Sequence, residues 1–413
     1  MNRWLQWRRW SAGNGTPEER LSMQAYVALF IHGCFQFGAS MSGLFLNLYL
    51  WRLTEDLVIN GIFNIVVYGI IPLAFATGGW IAKKRDRMVT YRLGIMMIAL
   101  FYLAVIIAQD KVVDYYALFG LFNGIALGLY WVGYLVLQYD VTDARNRSRY
   151  LGINMVVFNS AGLAGPALAG FLISLFEGLR GYIITFATAS ALFALASVFS
   201  FRIPRIPSHH RAFFLHFSGR MMKRNRLWVL ALISFFVLGL FQGLMLFLPN
   251  ILMFQTVGRE DQVGYLTVFF ALLTILTGVY IARRREQPHV RRDLFVSSLV
   301  IFASTLVLLV DIRLWSVIVF MVVYSLFAPL IVNTLTSYYY RLMDGLPLRG
   351  LFRIESVVLR ETFLSAGRVI SILMQVLFAS NVSSASLPII LVVLAATQLG
   401  IALLVKPNGR ANG

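Results

Sequence analysis

Two ionisable side chains fall inside long apolar stretches of this sequence, and an ion in such a place is costly enough to be read first as functional. Arg368 follows Glu361 by seven residues. On an α-helix turning about 100° per residue that spacing comes to about 700°, which returns both side chains to one face. The arginine could attract an anionic group of a substrate, or pair with Glu361 as a gate that breaks and re-forms. Near a helix end it could instead snorkel to the interface. His32 begins a polar stripe continued by Gln36 and Ser40 at four-residue steps. Histidine titrates near physiological pH, so the stripe suits proton coupling as well as hydrogen-bonded packing. Asn123, Tyr130, Tyr134 and Gln138 share one side of a later run with Trp131 beside them, and Asn159, Gln242, Asn333 and Gln375 come from four further runs. A cavity lined by aromatics and uncharged amides suits a neutral or amphipathic organic solute, although each amide is also able to bond between helices. No nucleophile–base, metal-ligand or phosphate-loop spacing is present, so neither an enzyme nor a cofactor or metal site is expected. His209 and His210 have no third ligand of suitable type nearby.

The elements that must carry these residues follow from composition. Of the 413 residues, 59% are hydrophobic and 13% charged, against roughly 45–50% and 25% in soluble domains. Lipid must therefore be the solvent for much of the surface. Runs long enough to cross a bilayer are read at 25–50, 57–82, 93–108, 115–137, 151–176, 182–201, 228–254, 263–282, 294–310, 315–336, 362–380 and 387–405. With the N-terminus inside, thirty of the 36 Lys and Arg fall in inside segments; five (Arg52, Lys111, Arg180, Arg259 and Arg313) fall outside, and Arg368 is the remaining one. Positive charge resists translocation, and one miscounted span would invert the bias from that point on. The expectation is an all-α integral membrane protein of twelve helices, N-in and C-in. All 18 Asp and Glu are expected in loops or at helix ends, which disfavours proton exchange through a buried carboxylate and leaves His32, Glu361, Asp140 or facilitated diffusion.

The basic residues are scattered between apolar runs rather than gathered on one face, so nucleic acid is not an expected partner. Cys34 alone excludes a disulfide within the chain, and no cleavage site follows the basic N-terminus. Trp4, Trp7 and Trp10 beside Arg3, Arg8 and Arg9 suit an interfacial anchor in segment 1–24. The longest inside break, 202–227, contains Pro204, Pro207 and the aromatics Phe213, Phe214 and Phe217, which could lie on the lipid interface. It divides the spans into lobes at 25–201 and 228–405, with a tail at 406–413.

The halves repeat. Residues 80–86 (WIAKKRD) match 280–286 (YIARRRE) at an offset of 200; Glu55-Asp56 matches Glu260-Asp261 at 205, and Phe35-Gln36 matches Phe241-Gln242 at 206. Two parallel six-helix repeats place a substrate site between them and move by rocking. Gly79-Trp80-Ile81-Ala82-Lys83-Lys84-Arg85-Asp86-Arg87 resembles the G-x-L-A-D-R-x-G-R-R loop of the major facilitator superfamily. Lys83 stands where the family has aspartate, Asp86 where it has glycine, and Met88 at the last basic position. The resemblance implies a cytoplasmic latch between lobes, which cannot form as usually drawn with lysine at that place; Asp86 could substitute. Lys84, Arg85, Arg283 and Arg284 could instead serve only to set topology. Gly162, Gly165, Pro166 and Gly170, led in by Arg147, Arg149 and Gly152, resemble the family's fifth-helix antiporter motif, and as small-residue stripes they also suit generic helix packing. The arginine often found in the family's fourth helix is absent: it would fall near Gly120, ahead of Asn123-Gly124. The resemblance implies a transporter of the cytoplasmic membrane acting as a monomer. The leading reading is proton-coupled export of a small amphipathic or drug-like solute. An importer or facilitator, or a flippase for a lipid-linked molecule, is the alternative.

Overall fold

Capping side chains start four of the described helices. Ser22 Oγ accepts the Ala25 N–H at 3.1 Å and opens α1 (Met23–Thr54). Asp56 does the same for α2 (Leu57–Lys84) through Val58 N–H at 2.7 Å, and Asp86 for α3 (Arg87–Ala108) through Met88 N–H at 3.0 Å. These carboxylates satisfy donors that the first helical turn leaves free. The first half continues through α4 (Tyr116–Asp140), α5 (Arg147–Ser174) and α6 (Arg180–Ser200). A short linker helix (Ser218–Arg224) precedes Asn225, which caps α7 (Arg226–Val257); this helix is interrupted between Met245 and Leu248, ahead of Pro249. Then follow α8 (Glu260–Arg283), α9 (Val290–Val310), α10 (Leu314–Asp344), α11 (Arg353–Phe378) and α12 (Ser386–Leu404). The first outside turn of each half is closed by a residue in the left-handed region, Glu55 at φ 52° and Gly258 at φ 78°. This computed structural model describes residues 21–142, 146–204, 214–283, 289–344, 346, 352–379 and 386–406.

Among the described residues eleven helices are long and apolar enough to cross a membrane. The twelfth, α11, carries Glu355, Arg360, Glu361 and Arg368. It starts nine residues earlier than its apolar run does, because its first turns are lined by protein rather than lipid: Glu355, Ser356 and Val358 are buried. Hydropathy marks the stretch a bilayer would accept, whereas helical geometry continues as long as the neighbours satisfy the side chains. For the same reason α10 runs on to Asp344, past the expected end at 336.

Two bundles result. In the first, α1 packs on α5 and α6, α4 on α2 and α3, and α3 on α6; in the second, α11 packs on α7, α10 on α8 and α9, and α9 on α12. The bundles meet where α2 lies along α11 and where α5 lies along α8. These two contacts are equivalents of one another under the internal repeat, as two parallel six-helix repeats require. Outward-facing Leu73, Ile107, Val156, Leu276 and Leu377 give the surface its apolar character.

Glycine sets how closely these helices approach. A Cβ at Gly120 would lie 2.8 Å from the Phe63 carbonyl oxygen, and Gly124 and Gly128 meet Val67, Ile70, Ile71 and Ala74 in the same way. The three lie on one stripe of α4 pressed against α2. Their packing leaves no space for the arginine that the family often carries near the first of them. On the neighbouring side, Gly94 of α3 abuts the backbone of Tyr130, and Gly133 abuts that of Tyr91. Such close approaches replace the missing hydrophobic drive between helices in lipid, and here they fix the height and rotation of Tyr130 and Tyr134.

Candidate functional site

His32 is fully buried in α1, and its Nδ1 lies 2.6 Å from the Tyr130 hydroxyl of α4. The imidazole stacks on Tyr134 with ring centres 3.8 Å apart, and the edge of Trp131 faces it at 6.3 Å. Phe35, one turn along α1, stacks on Tyr130 at 3.3 Å. Tyr134 in turn donates to Asn154 Oδ1 of α5 at 2.5 Å. The structure thus joins His32 to Tyr130, Trp131 and Tyr134, which the sequence places on a separate stripe. His32 Nε2 and Gln36 Oε1, on the same stripe, are buried with no hydrogen-bond partner.

A cavity of about 300 Å³ opens beside this cluster, against the outer part of the first bundle. Asn123 lines it, together with Ser40, Asn47, Asn64, Tyr68 and Tyr102 as the polar groups; Phe35, Phe63 and Phe193 are its aromatic walls, and Leu246 reaches it from α7. Asn64 bridges α2 to α1 by donating to Asn47 Oδ1 at 2.7 Å. Asn47, Asn64 and Tyr68 were not singled out in the sequence. Asn47 and Asn64 gave a legible signal as amides on apolar runs, each seven residues from the outer end of its helix.

Arg368 Nη2 donates to Gln242 Oε1 of α7 at 3.1 Å, and its guanidinium lies over the Tyr68 ring of α2 at 5.2 Å. Arg368 of α11 and Gln242 of α7, both candidate site residues, are therefore in contact. The suggested pairing of Arg368 with Glu361 is not formed. Glu361 instead accepts from Arg360 Nη2 at 2.6 Å, because α11 begins early enough to bring that adjacent arginine inside the protein, over Phe235 and beside Tyr340. Two other expected cavity amides are also used elsewhere. Gln375 Nε2 donates to the Ala379 carbonyl at the end of α11, against Gly61, and Asn333 Nδ2 donates back to the Pro329 carbonyl on an exposed face of α10. Asn159 is half-buried on α5 and does not line the cavity.

The cytoplasmic ends of α2 and α11 are joined by a buried ion pair. Lys83 Nζ lies 2.5 Å from Glu355 Oε1, and the same oxygen accepts the N–H of Phe214 from the linker at 2.8 Å. The Phe214 ring packs under the ammonium at 5.4 Å. The lysine thus does not abolish a link between the lobes: the link forms with its charges exchanged, the acid being supplied by α11. Asp86, suggested as a substitute, caps α3. Phe214 faces the ion pair, not the lipid interface. Gly79 is buried on α2, and Lys84 rests on Trp80 at 4.6 Å. The side chains of Arg87 and Arg283, and all of Arg284, His209 and His210, lie outside the described residues.

At the outer ends, Arg52 Nη1 of α1 meets Glu260 Oε1 of α8 at 2.6 Å, and Tyr182 of α6 donates to that oxygen at 3.2 Å. Just inside it the two stripes of the fifth-helix motif serve different neighbours. Gly165 packs on Ser40 and Met41 of α1, whereas Pro166 and Gly170 meet Gly264 of α8; a Cβ at Gly170 would lie 2.9 Å from the Glu260 carbonyl oxygen. Gly162 faces open space.

A family model described as Major Facilitator Superfamily matches residues 28–350. The chain belongs to that superfamily. It is a multi-pass membrane transporter, and its inverted cytoplasmic ion pair and its arginine-free fourth helix are departures within the superfamily's pattern. Relatives include the uncharacterized protein YqgE of Bacillus subtilis, 29% identical over 84% of this chain and 80% of its own length, and a Geobacillus stearothermophilus uncharacterized protein encoded in the sodM 3′ region, 32% identical over 43% of this chain and 83% of its own. Among solved structures, the human organic anion transporter MFSD10 matches with a TM-score of 0.67 at 16% identity, over 95% of this chain and 100% of that one. A D-xylose–proton symporter matches with a TM-score of 0.68 at 13% identity, over 93% and 98%. At such identities these structures establish the shared fold alone.

Proposed function

We propose that this superfamily transporter moves a small amphipathic organic solute out across the cytoplasmic membrane by alternating access, in exchange for protons, and that it works as a monomer with no cofactor. The observation that carries the solute class is the cavity of about 300 Å³, whose aromatic walls and uncharged amides sit beside the interface between bundles. That volume lies at the lower end of small-molecule sites, roughly 300–1,000 Å³. The direction rests on the fifth-helix motif, whose Gly165, Pro166 and Gly170 make the close contacts to α1 and α8. His32, joined to Tyr130 with Nε2 left without a partner, is the group best placed to exchange a proton between the two halves of the cycle. The test is retention of a panel of dyes and drugs in cells with and without the protein, together with efflux from proteoliposomes under an imposed pH gradient. Equal retention across the panel would count against export.

Transport of the same solute without proton exchange, as an importer or facilitator, is the second reading. It is favoured by the absence, among the described residues, of any carboxylate paired with His32 or Arg368. Uptake that proceeds at the same rate with and without a pH gradient would select it. A flippase for a lipid-linked molecule would require that reconstituted protein accelerate leaflet exchange of a labelled long-chain lipid.

A further inference from the structure

Resting on the transport reading, we infer that the solute carries a compact anionic group of the carboxylate kind, which Arg368 receives, while the solute's apolar body occupies the cavity in front of Tyr68. Gln242, to which Arg368 donates, lies sixteen residues from the inner start of α7 and fifteen from its outer end, about 24 Å and 22 Å along the axis at about 1.5 Å per residue. The guanidinium is therefore deep in the bilayer, where a cation costs at least about 2.5–3.5 kcal/mol. It does not reach back to the cytoplasmic edge, since its hydrogen-bond partner, Gln242, lies well along α7 from the inner start at Arg226.

Its partners are all neutral. Of the five N–H donors of a guanidinium, one is given to Gln242, the Tyr68 ring covers a face, and Nε is buried with no acceptor. Glu361, the nearest acid along the helix, is held by Arg360. A buried donor left open calls for an explanation, and a charged one deep in a membrane protein points to an anion that arrives and leaves. The mounting is rigid. Gly239 and Gly243 of α7 and Gly367 of α11 each meet backbone of the opposite helix at distances that admit no Cβ, so Gln242 and Arg368 are held in register.

The arginine and the cavity share walls. Tyr68 lines the cavity with one part of its surface and carries the guanidinium on its ring, and Leu246, one turn beyond Gln242, closes the same side. No carboxylate lines the cavity, so an organic cation finds a positive charge and no counter-charge. A neutral solute gives the arginine nothing to do. A carboxylate matches the fork of donors and exchanges Gln242 for charge-assisted hydrogen bonds.

The experiment uses the full-length protein in nanodiscs and three probes, phenylbutyrate, octanoate and benzoate, each beside its primary amide, with binding measured by calorimetry. At least one carboxylate is expected to bind roughly tenfold more tightly than its amide, the size of one charge-assisted hydrogen bond of about 1.4 kcal/mol. Arg368→Gln should bring that ratio to about one, and Arg368→Lys should keep part of it, with insertion and elution profile checked for both. Equal binding of acid and amide, a preference that survives Arg368→Gln, or no binding of any carboxylate overturns the inference. Arg368-dependent binding without movement of the same probe across proteoliposomes leaves the anion site standing and removes the transport reading. Movement of an amide without carboxylate binding does the reverse.

Discussion

At the residue scale, the His32–Tyr130 pair is the point where two accounts of one geometry separate. If the imidazole exchanges a proton, His32→Gln, which keeps a hydrogen-bonding group in the same space, should abolish efflux driven by a pH gradient yet leave solute counterflow near the wild-type rate. Counterflow needs rocking but no net proton movement. If the histidine only packs, both rates fall together or neither does. Tyr130→Phe removes the 2.6 Å contact but keeps the stacking of Phe35 on that ring; a lost hydrogen bond of about 1 kcal/mol should lower thermal stability by a few degrees. The members stood out because they are polar or aromatic and lie at helical spacing on two runs, but nothing in the sequence said that the two stripes meet. That Glu361 and Arg368 do not pair was not legible either, because a sequence gives angular spacing along one helix and says nothing of a nearer rival. Arg360 sits next to Glu361 on a part of α11 that hydropathy assigns to a loop.

At the element scale, the fold rests on stripes of small residues, and the substitutions that test them have signs set by the neighbouring backbone. Gly120→Ala places a Cβ 2.8 Å from the Phe63 carbonyl oxygen, and overpacking of this kind costs about 1–3 kcal/mol. The expected outcome is a lower unfolding temperature for the purified protein and a larger loss for Gly120→Arg, which would restore the charge the family often carries there. Gly162→Ala, on the same footing, should be neutral, since nothing lies within 4 Å of the added carbon. Gly170→Leu should push α5 from α8 at the outer end, and a cysteine placed at Tyr182 should then become reactive to an impermeant thiol reagent from outside. Unchanged labelling would show that α5 and α8 part elsewhere. The glycines themselves were plain in the sequence. Which helix each one faces was not, because both neighbouring stripes of α5 are small, and only the assembled bundle assigns Gly165 to α1 and Gly170 to α8.

At the scale of the whole molecule, twelve helices and their orientation could be read from the alternation of positive charge, and the two bundles from the repeat near offset 200. What joins the bundles could not. Lys83 was visible as a departure from the family's loop, but its partner Glu355 lies 272 residues away in a stretch that reads as a connecting loop. The described structure is bridged at both ends, Lys83 to Glu355 inside and Arg52 to Glu260 outside, so each half-cycle of rocking has one ion pair to break. The two pairs differ in depth. Glu355 is fully buried and Lys83 nearly so, whereas Arg52 is about one-third exposed, at 31%. Removing one member of a buried pair leaves an uncompensated charge, at a cost of about 3–5 kcal/mol, and the half-buried outer pair lies between that and the roughly 0–1 kcal/mol of an exposed one. Lys83→Ala should therefore shift the population strongly toward the inward-open state, and Arg52→Ala less strongly toward the outward-open one. Distances between spin labels on the cytoplasmic ends of α2 and α11 would report the first shift, and labels on the outer ends of α1 and α8 the second. The reciprocal exchange, Lys83→Glu with Glu355→Lys, separates electrostatics from shape. If the link acts through charge alone, the double variant should recover most of the closed population that each single variant loses, less the hydrogen bond that Glu355 accepts from the linker at Phe214. That bond has no acceptor once lysine occupies position 355. A double variant as open as the singles would make the linker contact, rather than the ion pair, the element that holds the cytoplasmic side shut.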